Sequence, residues 1–278
     1  MTTKRFAVVG NPIAHSLSPV IHAAFARALK IPLIYERMEP VVDRTGEAFL
    51  IEVKRFFGEG GAGLNVTAPF KQMAFAAAKE VSDVVQNAEA ANTLTALSGE
   101  AWRADNTDGI GLQRDLMRHL GRLNDARILI YGAGGAVSGV LHHLLSSGVK
   151  VFIYNRTLEK AQHLADKFHS DGEITVLPSI GRETVSHPFD CVIHATSVRT
   201  LPTGITLWND ALYSDRTFYY DMGYAAEDTA FLSWVKSRGS ARLCNGLGML
   251  VEQAAESFFI WHGILPEVEP VLRDLRAR

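Results

Sequence analysis

Short apolar runs of β type alternate with amphipathic helical stretches along most of the chain, and this alternation leaves few folds open. A strand, a helix and a further strand in series imply a crossover, so the pattern predicts an α/β protein with mainly parallel sheets. Phe6 to Val9 reads as a strand. Ser18-Pro19 then reads as an N-cap and first helical residue, opening a helix to about Leu29. Leu64 to Thr67 is a second strand, and Pro69 at a first helical position puts Lys71 in the first turn of the next helix. Ala91 to Ala96 reads as a strand, and Asp108 opens a helix towards His119.

Gly121-Arg122-Leu123-Asn124-Asp125 is a polar break. Beyond it, strands are expected at Arg127 to Tyr131, Val149 to Tyr154, Cys191 to Ala195 and Phe218 to Tyr220, with a helix over Val137 to Ser146. A last long helix runs from near Gly248 to about Trp261. Two domains are expected, residues 1–105 and 106–245. The final stretch, 246–278, returns to the first domain, because Gln253 is a polar residue with no obvious surface role in an apolar helix. A cleft between two such domains is the natural ligand site.

Composition narrows the function. Hydrophobic residues make up 47% of 278, enough for two buried cores. The formal net charge is -2 without a long basic run, which argues against nucleic acid. No apolar run approaches the roughly 20 residues needed to span a bilayer. The run Phe6-Ala7-Val8-Val9 after Met1 to Arg5 is too short for a signal-peptide core. Cys191 and Cys244 therefore read as free thiols in a reducing cytoplasm. The 10 histidines are scattered and no His/Cys/Asp/Glu set has metal spacing, so no metal is expected. Phe258, Phe259 and Trp261 at helical spacing read as core, and Arg273, Arg276 and Arg278 as a solvated tail.

Gly132-Ala133-Gly134-Gly135-Ala136 lies between a strand and a helix, the context of a dinucleotide loop. Glycines let the backbone approach a pyrophosphate, and N–H groups at the helix start point towards it. The third glycine of the usual fingerprint is Val137 here. The next strand ends in Asn155-Arg156-Thr157, with Lys160 a turn later, where an NAD enzyme would carry Asp or Glu. Cations and a hydroxyl suit a ribose 2′-phosphate, so the expected cofactor is NADP(H).

Polar residues outside that loop suit a hydroxylated acid. Ser16 and Ser18 flank Leu17 at a helix start, a good place for a carboxylate. Asn65 and Thr67 share one face at the end of a strand, and Asn92 sits at the start of another. Lys71 and Asp108 stand in Asn65-Val66-Thr67-Ala68-Pro69-Phe70-Lys71 and Asn106-Thr107-Asp108-Gly109. A lysine held between a helix start, which disfavours its charge, and a carboxylate, which favours it, can both give and take a proton. Proton transfer at an oxygen beside hydride transfer at its carbon interconverts a ketone and an alcohol.

These stretches, with Gly10-Asn11-Pro12-Ile13-Ala14-His15-Ser16-Leu17-Ser18-Pro19, Ala91-Asn92-Thr93-Leu94, Ala195-Thr196-Ser197, Asp221-Met222-Gly223-Tyr224 and Gly246-Leu247-Gly248-Met249-Leu250 with Gln253, resemble the shikimate dehydrogenase family in order and over nearly the whole chain. The resemblance implies a substrate domain and a Rossmann-like NADP-binding domain. It implies NADPH-dependent, reversible reduction of 3-dehydroshikimate to shikimate, on the chorismate route of aromatic amino acid biosynthesis. Lys71 and Asp108 are then the catalytic pair. Ser16 and Ser18 hold the substrate carboxylate, Tyr224 stands near it and the nicotinamide, and Asn65, Thr67, Asn92, Asp108 and Gln253 bind the substrate's oxygens. The cofactor falls to Gly132, Ala133, Gly134, Gly135, Ala136, Asn155, Arg156, Thr157, Lys160, Thr196, Ser197, Met222 and Gly246. The partner is the small-molecule substrate, without nucleic acid or membrane, and the chain acts as a monomer or homodimer. Departures gather on the cofactor side: the family usually has Asn at His194 and glycine at Arg199, often has arginine at Ser138, and usually has a proline after the tyrosine segment, where Ala225-Ala226-Glu227 stands here. Alternatives are a paralogue acting on quinate or an aminated analogue, with NAD in place of NADP, and a catalytically silent ligand-sensing module.

Overall fold

The computed structural model describes residues 2–97, 101–181, 187–196, 208–225 and 227–277. It divides into two compact units, Met1–Gly111 with Leu250–Arg278, and Leu112–Met249. Among the described residues, no helix is long and apolar enough to cross a membrane.

The first unit is built on a six-stranded sheet. In chain order its elements are β1 (Lys4–Val9), α1 (Ser18–Leu29), β2 (Leu33–Met38), α2 (Glu47–Gly58), β3 (Gly61–Val66), α3 (Lys71–Ala76), β4 (Glu80–Val81), α4 (Asp83–Ala88), β5 (Thr93–Ala96) and β6 (Trp102–Asp105). The strand order is β2-β1-β3-β5-β6-β4. β1 runs parallel to β2 and β3, while β5 is antiparallel to both β3 and β6. Ala7, Val9, Leu64, Val66 and Leu94 are buried against Phe49, Val53, Phe56 and Phe57 of α2.

The second unit is a doubly wound sheet with every strand parallel. α5 (Asp108–Leu120) leads into β7 (Arg127–Tyr131), α6 (Gly135–Ser146), β8 (Lys150–Tyr154), α7 (Leu158–Phe168), β9 (Ile174–Val176), β10 (Cys191–His194), β11 (Phe218–Asp221), α8 (Ala230–Ser237) and β12 (Leu243–Asn245). The order is β12-β11-β10-β7-β8-β9. Ile128, Leu129, Ile130, Val192 and Ile193 are wholly buried, as expected where helices cover both faces. From β7 the chain winds outward through β8 and β9, then returns to β10 on the other side of β7. The sheet therefore reverses direction between β7 and β10, and such a point is where open α/β sheets place their ligands. α9 (Leu247–His262) and α10 (Glu269–Arg276) complete the chain.

Both passages between units lie within helices, inside α5 and in the first turn of α9. The sequence puts these boundaries at 105/106 and 245/246, beside strand ends, because a continuous helix carries no local break to mark a change of unit.

Several local expectations are corrected. Leu17, not Ser18, is the N-cap of α1, and the Ser18 N–H donates to Ser16 Oγ at 3.3 Å. Pro69 follows a cis peptide bond and stands outside α3, which begins at Lys71. Thr67 lies one residue past β3. Phe258 and Trp261 are buried, but Phe259 is 43% exposed. The segment read as a solvated tail forms α10, whose Val271 and Leu272 are buried while Arg273 and Arg276 face outward.

Candidate active site

Lys71 and Asp108, far apart in sequence, meet at the first residues of α3 and α5. Lys71 Nζ donates to Asp108 Oδ2 at 2.5 Å. The lysine side chain is 28% exposed and the carboxylate 7%, so the acid is buried while the amine can reach a ligand. Asp108 does not depend on the lysine alone. Its Oδ1 accepts from Asn92 Nδ2 at 2.9 Å, and its N–H donates to Asn106 Oδ1 at 3.0 Å. Asn106 in turn donates to the Ala90 carbonyl at 2.8 Å. A buried carboxyl group that accepts from several donors is fixed in orientation and can hold the amine in place.

Asn92 is the hub of this unit. Its Nδ2 also donates to Gln253 Oε1 at 2.8 Å and Thr107 Oγ1 at 3.0 Å, and its Oδ1 accepts the Thr107 N–H at 2.8 Å. Asn65 is oriented from both ends: the Tyr35 hydroxyl donates to its Oδ1 at 2.6 Å, and its Nδ2 donates to Ser257 Oγ at 2.9 Å. Thr93 Oγ1 and Ser257 Oγ lie 2.7 Å apart beneath them. Burial raises the Tyr35 phenol well above its ordinary range, and the neighbouring Ser18 hydroxyl works against that rise. Tyr35 thus remains a donor. The Ser16 and Ser18 hydroxyls are 3.2 Å apart, and Arg37 Nη2 donates to the Ser16 carbonyl at 2.7 Å, placing a cation beside the pair. Thr67 is close against Gly10, where a Cβ would come within 2.3 Å of its methyl group.

Sequence reasoning missed Tyr35, Thr93, Thr107 and Ser257. One readable signal existed for Ser257, which follows Gln253 by one helical turn and donates to its carbonyl at 3.0 Å. Tyr35 carried none, because only sheet pairing brings β2 beside β1.

In the second unit the residues expected to hold a dinucleotide gather at the C-terminal ends of parallel strands. Gly132 follows β7 with φ 132°, and a Cβ there would lie 2.8 Å from the Ala195 carbonyl oxygen. Its N–H donates to the Tyr154 carbonyl at 2.8 Å, tying the loop to the end of β8. Cβ positions at Gly134 and Gly135 face open space, and α6 starts from Gly134 without a side-chain cap. First-turn N–H groups and room for close approach fit a pyrophosphate. Val137, in place of the third glycine, is wholly buried in the core under α6. Arg156, Thr157 and Lys160 are exposed just beyond β8, and Asn155 Nδ2 fixes their turn by donating to the Thr157 carbonyl at 2.8 Å. With no acid at that strand end, this donor set fits a phosphorylated ribose. Thr196 follows β10 beside Gly132. Gly246 packs on Met222, where a Cβ would meet the Met222 carbonyl oxygen at 2.4 Å, and its N–H donates to the Gly223 carbonyl at 2.9 Å. Tyr224, half-buried, follows in the same turn. Ser138 is buried in α6. Ser197 and Arg199 lie outside the described residues.

Folding also assembles a trio that spacing did not show: ligand atoms of Asp115, His119 and Cys244 lie within 4.8 Å of one another. Asp115 is already engaged, with Arg118 Nη1 donating to Oδ1 at 2.6 Å and the Tyr220 hydroxyl to Oδ2 at 2.8 Å. A guanidinium so close opposes a second cation.

Comparison with known proteins finds relatives along nearly the whole chain. Residues 8–94 match the shikimate dehydrogenase substrate binding domain, 115–222 the shikimate / quinate 5-dehydrogenase model, and 246–276 the shikimate 5′-dehydrogenase C-terminal domain. The chain is 42% identical over 276 residues to a protein of Shewanella woodyi named shikimate dehydrogenase (NADP(+)), covering 99% of this chain and 98% of that one. It is 44% identical over 276 residues to the protein of that name from Shewanella halifaxensis, covering 99% and 96%. Among solved structures, the shikimate 5-dehydrogenase of Thermus thermophilus in complex with NADP(H) and shikimate superposes with a TM-score of 0.84 at 30% identity, covering 99% of each chain. With relatives this close along both units, the chain belongs to the shikimate dehydrogenase family.

Proposed function

We infer that this chain catalyses the reversible, NADPH-dependent reduction of 3-dehydroshikimate to shikimate. Family membership supports the reaction, and the observation that carries it is the Lys71–Asp108 pair, an amine that can reach a ligand and a buried carboxylate 2.5 Å from it. Bound NADPH supplies the hydride. As negative charge grows on the carbonyl oxygen, Lys71 gives it a proton, and the alcohol forms. Asp108 holds Lys71 in position through this transfer and Asn92 holds Asp108. In the reverse direction Lys71 takes the hydroxyl proton.

Ser16 and Ser18, with Tyr224, bind the substrate carboxylate in this reading, and Asn65, Thr67, Asn92, Asp108 and Gln253 bind its ring oxygens. Gly132 to Ala136 receive the pyrophosphate. Asn155, Arg156, Thr157 and Lys160 receive the 2′-phosphate, while Thr196, Ser197, Met222 and Gly246 line the remainder of the cofactor site. The unit beginning at β1 is then the substrate domain, and the parallel-sheet unit the dinucleotide-binding domain. We place the enzyme in the cytoplasm. The free thiols of Cys191 and Cys244 favour a reducing compartment.

The test is turnover of shikimate and of quinate, each with NADP⁺ and NAD⁺. Shikimate with NADP⁺ is expected to be the best pair. Lys71→Ala should lower kcat by about 10²- to 10⁴-fold with an unchanged circular dichroism spectrum. Failure of the intact protein to turn over shikimate with either cofactor would reject the reading.

A further inference from the structure

β2, at the edge of its sheet, brings two polar side chains to the serine pair. Tyr35 and Arg37 are two residues apart on this strand and so share a face. Tyr35 stands beside Ser18 and donates to Asn65 Oδ1 at 2.6 Å. Arg37 stands beside Ser16, with Nη2 donating to the Ser16 carbonyl at 2.7 Å. Ser16 belongs to the segment between β1 and α1, and that segment is tied to the end of β2. The Gly10 N–H donates to the Met38 carbonyl at 3.2 Å, and Asn11 Nδ2 to the Pro40 carbonyl at 2.9 Å.

Arg37 also differs from its neighbour across the sheet. Arg5 is paired with Glu36 at 3.2 Å, on the opposite face of β2, whereas among the described residues the hydrogen-bond partner of Arg37 is the neutral Ser16 carbonyl. A guanidinium carries five N–H donors, and that carbonyl engages one through Nη2. The side chain is exposed, so its charge and remaining donors are open to a ligand. The Ser16 hydroxyl belongs to the same residue as the carbonyl and lies 3.2 Å from that of Ser18. An anion held by these two hydroxyls therefore falls within a Debye length of the cation, about 8 Å at physiological salt. Hydroxyls alone serve an acid, its ester and its amide alike. A cation is what separates the anion from its neutral analogues.

We propose that Arg37 is a specificity-determining residue, which selects substrates bearing a carboxylate anion over neutral analogues at the Ser16–Ser18 pair. The inference rests on the reading of that pair as the carboxylate site. Arg37 acts by charge on the ligand, and its bond to the Ser16 carbonyl holds the charge in place.

The test is steady-state kinetics of a charge series: Arg37→Lys, Arg37→Met and Arg37→Glu, against the intact protein. Arg37→Met should raise KM for shikimate about three- to fivefold, with kcat and KM for NADP⁺ within about twofold of the intact protein. Arg37→Lys should recover most of the loss, and Arg37→Glu should exceed it. Shikimate methyl ester, as substrate or competitive ligand, should bind the intact protein and Arg37→Met equally well. Added potassium chloride should raise KM for shikimate more steeply in the intact protein than in Arg37→Met. An unchanged KM for shikimate in Arg37→Met overturns the proposal. So does an equal loss with the ester, which would mean that Arg37 only shapes the segment carrying Ser16. If the ester does not bind, the salt dependence decides, and equal slopes overturn the proposal. Absence of shikimate turnover in the intact protein would strike the reaction reading instead, and the same series is then read as shikimate binding by titration calorimetry.

Discussion

A buried histidine next to the substrate residues gives this protein a built-in acid sensitivity. His22 is wholly enclosed, stacked on Tyr35 at 4.4 Å with Phe258 and Trp261 around it, and burial holds it down to about 3 from its ordinary 6.5. Below about pH 6.5 the unfolded chain takes up a proton that the folded chain refuses until about pH 3, so stability is full above that window and falls within it. His143, held to about 4, and His262, also lowered by burial, act in the same direction. Each such group removes about 1.4 kcal/mol per pH unit inside its window. Urea unfolding at about pH 7 and about pH 5 should therefore show a clear loss at the lower value. His22→Phe, which keeps a ring in the stack, should recover about 2 kcal/mol of that loss. Equal acid sensitivity in the variant would show that His22 is not the source. His22 had no sequence signature, since a histidine in an amphipathic helix reads the same whether it faces solvent or core. The meeting of Lys71 and Asp108 was foreseeable, because each stands in a short polar motif whose residues have a chemical meaning together.

Glycines in two elements show how the same residue type answers to different demands. Gly248, in the first turn of α9, faces the Asp115 carboxylate, and a Cβ there would lie 2.1 Å from Oδ1. That carboxylate is wholly buried and pinned by Arg118 and Tyr220, so it cannot move aside cheaply. Gly248→Ala should cost about 1–3 kcal/mol in chemical denaturation. Gly134→Ala meets nothing within 4 Å and should leave stability nearly unchanged while weakening NADP⁺ binding, since the added methyl would stand where we propose the pyrophosphate approaches. A fold equally tolerant of both would contradict the close approach seen at α9. At this scale the sequence was readable where local chemistry is strong. β7 and the start of α5 fall where the apolar run and Asp108 put them. β4 and β6 were not visible, because Glu80–Val81 is only two residues long and Trp102–Asp105 mixes charge with its apolar residues. α10 was hidden by its arginines, which draw attention to the solvent face of a helix anchored by Val271 and Leu272.

Tyr224 apart, the proposed substrate contacts fall in the first unit and the proposed cofactor contacts in the second, and each ligand should protect its own set of amides. In hydrogen-exchange mass spectrometry, shikimate should slow exchange in β3, α3 and the start of α5, while NADP⁺ should slow it in the β7–α6 turn and at Asn155 to Lys160. Protection of the glycine turn by shikimate alone would overturn this assignment. The mainly parallel α/β class was legible from element alternation. The hydrogen-bonded support of the site was not, because it is non-local: Asn65 meets Ser257 across 192 residues and Asn92 meets Gln253 across 161. α9 also presses Trp261 onto Phe6 at 4.7 Å and donates from its indole to the Leu94 carbonyl at 3.2 Å. A ribosome therefore delivers β1, β3 and β5 long before the helix that finishes them. Until α9 emerges, the nascent sheet keeps an uncovered aromatic face and Asn65 and Asn92 lack their distant partners, so premature termination within α9, just past Met249, would release a chain with the parallel-sheet unit complete and the first unit unfinished.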